Sequence, residues 1–282
     1  MQPDYETGIN RYNNAILVSA NTIDDVEQAW KVVSTVRIFL QFISQTKNAN
    51  FYNPIRLIHN KDYSDDSVYM YIRPDTTETI RYSKVIEYCD IRSGIGKLME
   101  MIYRNNICYR SLFPVDYERV TYSDIMNICA AFECQYEIRY KKRYKAQKQE
   151  DVKCKILSLV EQNKSSIIDG DEEAYNVVVE GIKYVNETLK NRIQEALNSF
   201  VEIYGEQQVR LRFSNDFEKM PERIKNSRNY LDHGNVKKSF TKKSFTDAEL
   251  LRAVVYMMII ESAGITEKGC IIRIIDKVAN NL

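Results

Sequence analysis

Across 282 residues the chain carries 44% hydrophobic, 28% charged and 11% aromatic side chains, enough to bury one large core or two modest ones and too apolar for a disordered chain. Forty Lys+Arg against 39 Asp+Glu leave a formal charge of +1, which excludes a global field toward nucleic acid or membrane and confines any polyanion site to a local patch. Nine Gly and five Pro argue against a β-sandwich, collagen-like repeats or disordered linkers, and for a mostly helical globule.

In chain order, Val26, Trp30, Val33, Ile38, Leu40 and Ile43 recur at helical spacing behind a Thr22/Asp24 start signal, which predicts a helix from Thr22 to about Ser44. Pro54–Ile58 and Ser67–Ile72 read as short strands around the polar stretch Asn60–Asp66, and Val85–Tyr88 reads as a third. A helix is predicted from Ile91 to Tyr103, and Pro114 punctuates the chain. Beyond it everything reads as helix. The predicted segments are Ser123 to about Gln147, Asp151–Gln162, Glu172–Phe200, Asn215–His233, Thr246–Ala263 and a last piece from Thr266. The expected division is therefore a small α/β segment over 1–114 and a helical bundle over 115–282, with a mainly α fold class.

Six cysteines include no Cys-x-x-Cys pair, and neither of the two histidines, His59 and His233, lies near them in sequence. Zinc-ligand spacing is thus absent, and the thiols read as reduced structural residues of a cytoplasmic protein, with Cys129 and Cys134, inside a helical pattern, expected as small buried core residues. Met1–Asp4 shows no basic, then apolar, leader. The longest nearly unbroken apolar run, Ala253–Ile260, is too short to span a bilayer. No metal, cofactor or membrane partner is expected.

One constellation suggests chemistry: Ile224-Lys225-Asn226-Ser227-Arg228-Asn229-Tyr230-Leu231-Asp232-His233-Gly234. Asn229 and His233 fall one helical turn apart, as do Arg228 and Asp232. Arg228 and His233 stand about 140° apart around an ideal helix. The reach of arginine and a terminating Gly234 could close that gap. A histidine in a final turn feels the negative end of the helix dipole, which favours its imidazolium. Arg plus His without metal ligands suits metal-independent RNA cleavage. His moves a proton, from a ribose 2′-hydroxyl or to a departing 5′-oxygen, while Arg holds the charge gathering on phosphate. One histidine does not readily serve as both acid and base, so a two-fold dimer with two facing motifs is the economical arrangement. Lys237, Lys238, Lys242 and Lys243 follow within reach of an RNA backbone. The bare spacing is a short pattern, and a histidine near a helix C-terminus also serves as a plain cap.

Arg228-Asn229-Tyr230-Leu231-Asp232-His233 resembles the Arg-Asn-x-x-x-His signature of HEPN domains, and its surroundings resemble the ApeA-like HEPN family. Tyr122–Glu133 resembles that family's earlier helix, and the segment from Trp30 through the short strands resembles the region before its bundle. The resemblance implies a HEPN helical bundle over 115–282, a homodimer with a composite site, and a metal-independent endoribonuclease acting in antiviral defence or as a toxin. Residue by residue it implies Arg228 and His233 as the catalytic pair, with Asn229 in support and Glu133 facing the site. An inactive HEPN module for RNA or protein binding and dimerisation stays open as the alternative. Compared with the family, the chain starts without a β-rich N-terminal domain, so it is expected to be a short member or the C-terminal portion of a longer protein, and a further domain or regulatory partner is left open.

The remaining candidates carry two readings each. Glu133 borders the apolar stripe of its helix, as a boundary residue in water or as a partner that orients Arg228. Asp232 reads as an intrahelical partner of Arg228 rather than a base, and His59 as structural. The Lys141–Lys148 tail with Tyr140 and Tyr144 suits either an RNA strand or a solvated helix end. Gly94-Ile95-Gly96-Lys97 lacks phosphate-loop spacing.

Overall fold

The computed structural model describes residues 26–46, 55–57, 68–70, 84–108, 112, 121–140, 145–168, 171–183, 188–232 and 242–279. The chain separates into two compact units, Met1–Ser34 and Thr35–Leu282. It is mainly helical. The elements are α1 (Val26–Ser44), β1 (Ile55–Leu57), β2 (Val68–Met70), α2 (Tyr88–Ile91), α3 (Ile95–Tyr103), α4 (Tyr122–Tyr140), α5 (Lys145–Gln162) and α6 (Lys164–Ile167). They continue through α7 (Glu172–Lys183), α8 (Leu189–Tyr204), α9 (Glu206–Arg212), α10 (Met220–Asp232), α11 (Lys242–Ser262) and α12 (Lys268–Ala279). β1 and β2 pair antiparallel with Ile55 opposite Met70.

The second unit is built around α11. Its residues Leu250–Ile260 are buried on every side, so the apolar run of the sequence is a core helix. Among the described residues no helix is long and apolar enough to cross a membrane. α4 lies along α11 and buries Ile125, Ile128, Cys129, Phe132 and Tyr136. α8 supplies Ile193, Leu197 and Phe200, and α12 supplies Ile271, Ile274 and Ile275 to the same core. Phe42 of α1 stacks on Tyr256 of α11 with ring centroids 4.9 Å apart.

Local chemistry sets the helix starts and stops. The Asp124 carboxylate accepts from the Thr121 amide and hydroxyl, both at 2.6 Å, closing the first turn of α4. Gly205, at φ 98°, makes the turn between α8 and α9 in a backbone region that a side chain resists.

Three expectations are corrected. Val85–Tyr88 is not a strand. The Ile86 amide donates to the Ile43 carbonyl at 2.8 Å, Ile86 fills the core, and Tyr88 already begins α2. The single helix expected over Glu172–Phe200 is two, because Thr188 starts α8 afresh with its hydroxyl accepting from the Asn191 amide. Cys134, five residues and about 140° beyond buried Cys129, lies on the exposed side of α4.

Candidate functional site

α10 carries the Arg-Asn pair of the motif, and α4 carries Glu133. The fold brings them together: Arg228 Nη1 donates to Glu133 Oε1 at 3.0 Å, bridging two helices whose residues lie 95 apart in sequence. The two side chains are 32% and 30% exposed, so the ion pair sits at the rim of the bundle. Phe132 on the same helix is fully buried, which places Glu133 at the boundary between core and water.

One turn along α4 the arrangement repeats. Glu137 Oε1 lies 3.1 Å from Nη1 of Arg192, which comes from α8. The Arg192 guanidinium lies over the Tyr136 ring, 5.6 Å from its centroid, and the Tyr136 hydroxyl donates to Glu195 at 2.7 Å. α4 therefore presents two successive carboxylates, each gripping an arginine of a different helix. Lys190 and Glu222 join the starts of α8 and α10 at 2.8 Å.

The beginning of α10 is held separately. Arg223 makes a two-pronged pair with Asp247 of α11, Nε to Oδ2 at 2.6 Å and Nη2 to Oδ1 at 2.7 Å. Its Nη1 also lies 3.2 Å from Asp216, whose carboxylate accepts from Lys243 at 2.6 Å and from the Ser214 hydroxyl at 2.7 Å. The Lys243 and Ser214 hydrogen bonds, with Arg223 beside them, hold the Asp216 carboxyl well below the usual carboxylate range.

The expected site residues divide accordingly. Arg228 and Glu133 meet, and Asn229 follows on the exposed side of α10. Lys243 is exposed, but its ammonium is held by Asp216. His233, Lys237 and Lys238 lie outside the described residues, as do the side chains of Asp232 and Lys242, His59, and Lys141–Tyr144. Lys97 of the glycine-lysine element pairs with Glu100 at 2.8 Å on the surface of α3. Sequence reading missed Arg192, Arg223 and Asp247. Only Arg223 offered a signal, being an arginine one and a half turns before Arg228 on the motif's own helix. Among the described residues no group of His, Cys, Asp and Glu is arranged to hold a metal ion.

The family whose model matches the chain is described as Apea-like HEPN, and the match covers residues 126–268. That span contains Glu133, Arg228, the Arg223–Asp247 clamp and every helix from α5 to α11. No curated protein and no solved structure matches the chain.

Proposed function

The chain belongs to the Apea-like HEPN family, and from that membership together with the Arg228–Glu133 pair we propose that it is a metal-independent endoribonuclease. In this reading the 2′-hydroxyl of a ribose attacks the adjacent phosphorus and gives up its proton. The P–O5′ bond breaks, the 5′-oxygen takes a proton, and the products end in a 2′,3′-cyclic phosphate and a 5′-hydroxyl. Arg228 stabilises the charge on the non-bridging oxygens, and His233 moves the protons. Glu133 is a positioning residue: its carboxylate fixes one edge of the guanidinium and so orients the group that is to hold phosphate. Asn229 supports the site from the exposed side of α10, and Asp232 sits one turn from Arg228. Lys237, Lys238, Lys242 and Lys243 contact the RNA backbone, Lys243 by exchanging Asp216 for a phosphate. Two copies of the chain supply two motifs to one composite site, so that one histidine accepts a proton and the other donates one. A role in antiviral defence or as a toxin, acting on cellular RNA in the cytoplasm, follows the family.

The observation that carries the reading is the Arg228–Glu133 contact, an arginine of the family motif oriented by a carboxylate at a water-accessible rim. The test is RNA cleavage by purified protein in EDTA, with wild type, Arg228→Ala and His233→Ala side by side. The expected result is cleavage by wild type alone, with 2′,3′-cyclic ends. Cleavage that survives both substitutions overturns the site assignment, and RNA binding with no cleavage favours an inactive binding module.

A further inference from the structure

Three side chains from three segments converge on one carboxylate at the surface. Lys243 Nζ of α11 lies 2.6 Å from Asp216 Oδ2, and Arg223 Nη1 of α10 lies 3.2 Å from the same oxygen. The Ser214 hydroxyl, from the turn between α9 and α10, donates to Oδ1 at 2.7 Å. Both carboxylate oxygens are thus engaged, by two cations and a hydroxyl. Asp216 is 32% exposed and Lys243 59% exposed, so the cluster borders water.

Charge explains why this anion is replaceable. Arg223 is already held by Asp247 through two short bonds, and Asp247 is 1% exposed on the core helix α11. That pair stands whether or not the Asp216 carboxylate stays. Burial raises the Asp247 carboxyl pKa, and the like charge of Asp216 beside it adds to the rise. Asp216 and Asp247 balance Arg223 and Lys243, so the cluster without the Asp216 charge carries one excess positive charge.

Departure of the carboxylate needs only a side-chain rotation. The Asp216 backbone is pinned separately, its carbonyl accepting from the Lys219 amide at 3.1 Å and from Arg223 Nη1 at 3.3 Å. Its bond to Lys243 is an exposed ion pair, the kind that water and salt weaken most. A phosphodiester offers these donors the same pattern, one negative charge over two non-bridging oxygens. Arg223 stands five residues, about 7.5 Å of helix axis, before Arg228, a separation of a few phosphates along one strand.

We infer that Ser214, Arg223 and Lys243 form a binding subsite for an RNA phosphodiester, and that Asp216 fills this subsite as an internal competitor. The inference rests on the RNA binding of the proposed function and deepens it, naming the whole subsite and the group that RNA displaces. Asp216 therefore has two opposed effects. It adds to the stability of the folded chain and lowers its affinity for RNA, whereas a purely structural carboxylate has only the first.

The test is fluorescence anisotropy of the full chain with a labelled single-stranded 2′-O-methyl RNA. This probe keeps every phosphate but lacks the attacking 2′-hydroxyl, so binding is read apart from cleavage. Asp216→Asn, close in shape to the native side chain, is expected to tighten binding about three- to tenfold. Should it lose helicity by circular dichroism, Asp216→Ser is read in its place. Glu218→Gln removes a nearby carboxylate that is 50% exposed and paired with Arg210, and is expected to change binding by less than about twofold. Lys243→Ala added to Asp216→Asn takes the gain back and makes the fall of log K with log salt shallower by roughly 0.7. Binding by Asp216→Asn no tighter than wild type, or a gain matched by Glu218→Gln or kept after Lys243→Ala, overturns the subsite. So does an absence of binding by every variant. Cleavage of ordinary RNA without the Asp216→Asn gain sinks this inference alone, and the gain without cleavage sinks the nuclease reading alone.

Discussion

Removing the Glu133 carboxylate separates a pair held for chemistry from one held for stability. Arg228 and Glu133 are 3.0 Å apart, but the side chains are 32% and 30% exposed, so water and salt screen much of their attraction. A pair of this kind contributes about 0.5–1 kcal/mol. In a chain of this size a loss of about 1 kcal/mol lowers Tm by roughly 2–4 °C. A donor aimed at charge that develops in a transition state contributes far more, about 10²–10³-fold in rate. Arg228→Ala is therefore expected to lose about that factor while moving Tm by no more than a few degrees. Glu133→Ala leaves the guanidinium in place but frees its rotamers, and a loss of about tenfold is expected. Glu133→Gln keeps an oxygen that accepts from Nη1 and is expected to recover most of the rate. The assay is single-turnover cleavage of end-labelled RNA in EDTA, with Tm by circular dichroism on the same preparations. A Glu133→Ala protein that cleaves at the wild-type rate refutes the positioning role. So does a rate loss found only in variants whose Tm has fallen by more than about 8 °C, since that is the signature of a structural pair.

Three other substitutions test the packing around the site. A Cβ on Gly94 would stand 2.6 Å from the Ala263 carbonyl oxygen and from Ile265, so Gly94→Ala is expected to cost about 1–3 kcal/mol, read from the urea midpoint. Arg252 pairs with Glu249 inside the core at 1% and 7% exposure, so Arg252→Ala strands a buried carboxylate and is expected to cost about 3–5 kcal/mol. The double variant Arg252→Met with Glu249→Gln is expected to recover at least half of that by the same measurement. Asp216 has its carboxyl pKa depressed in the folded state, first by the Lys243 hydrogen bond and then by Ser214 and Arg223. Its contribution is therefore complete above the unfolded carboxylate pKa of about 3.9 and is lost as pH falls toward the lower folded value. Urea midpoints of wild type and Asp216→Asn should differ by a constant amount above about pH 5 and converge below about pH 4, and a gap that widens in acid refutes this assignment.

How much of this was legible in the residues depended on the range of the interaction. The α4 stripe through Ile125, Cys129, Phe132, Tyr136 and Tyr140 is buried as its spacing predicts, because a helix repeats its face every three or four residues. The same regularity hid the break before α8, since Val185 and Leu189 keep helical spacing across it and only Thr188 marked a new start. Pairs between helices are less visible still. Arg223 and Asp247 are 24 residues apart and Lys243 and Asp216 are 27 apart, so a lysine read as a phosphate contact proves to be held by a carboxylate. These distant pairs define what the site is mechanically. α10 is clamped to α11 at Arg223 and to α4 at Arg228, five residues later. The helix that carries the motif arginine is thus fixed at two points by partners on two different helices. A side chain so anchored loses little further freedom when an anion arrives, which is the property that orientation of a transition-state donor requires.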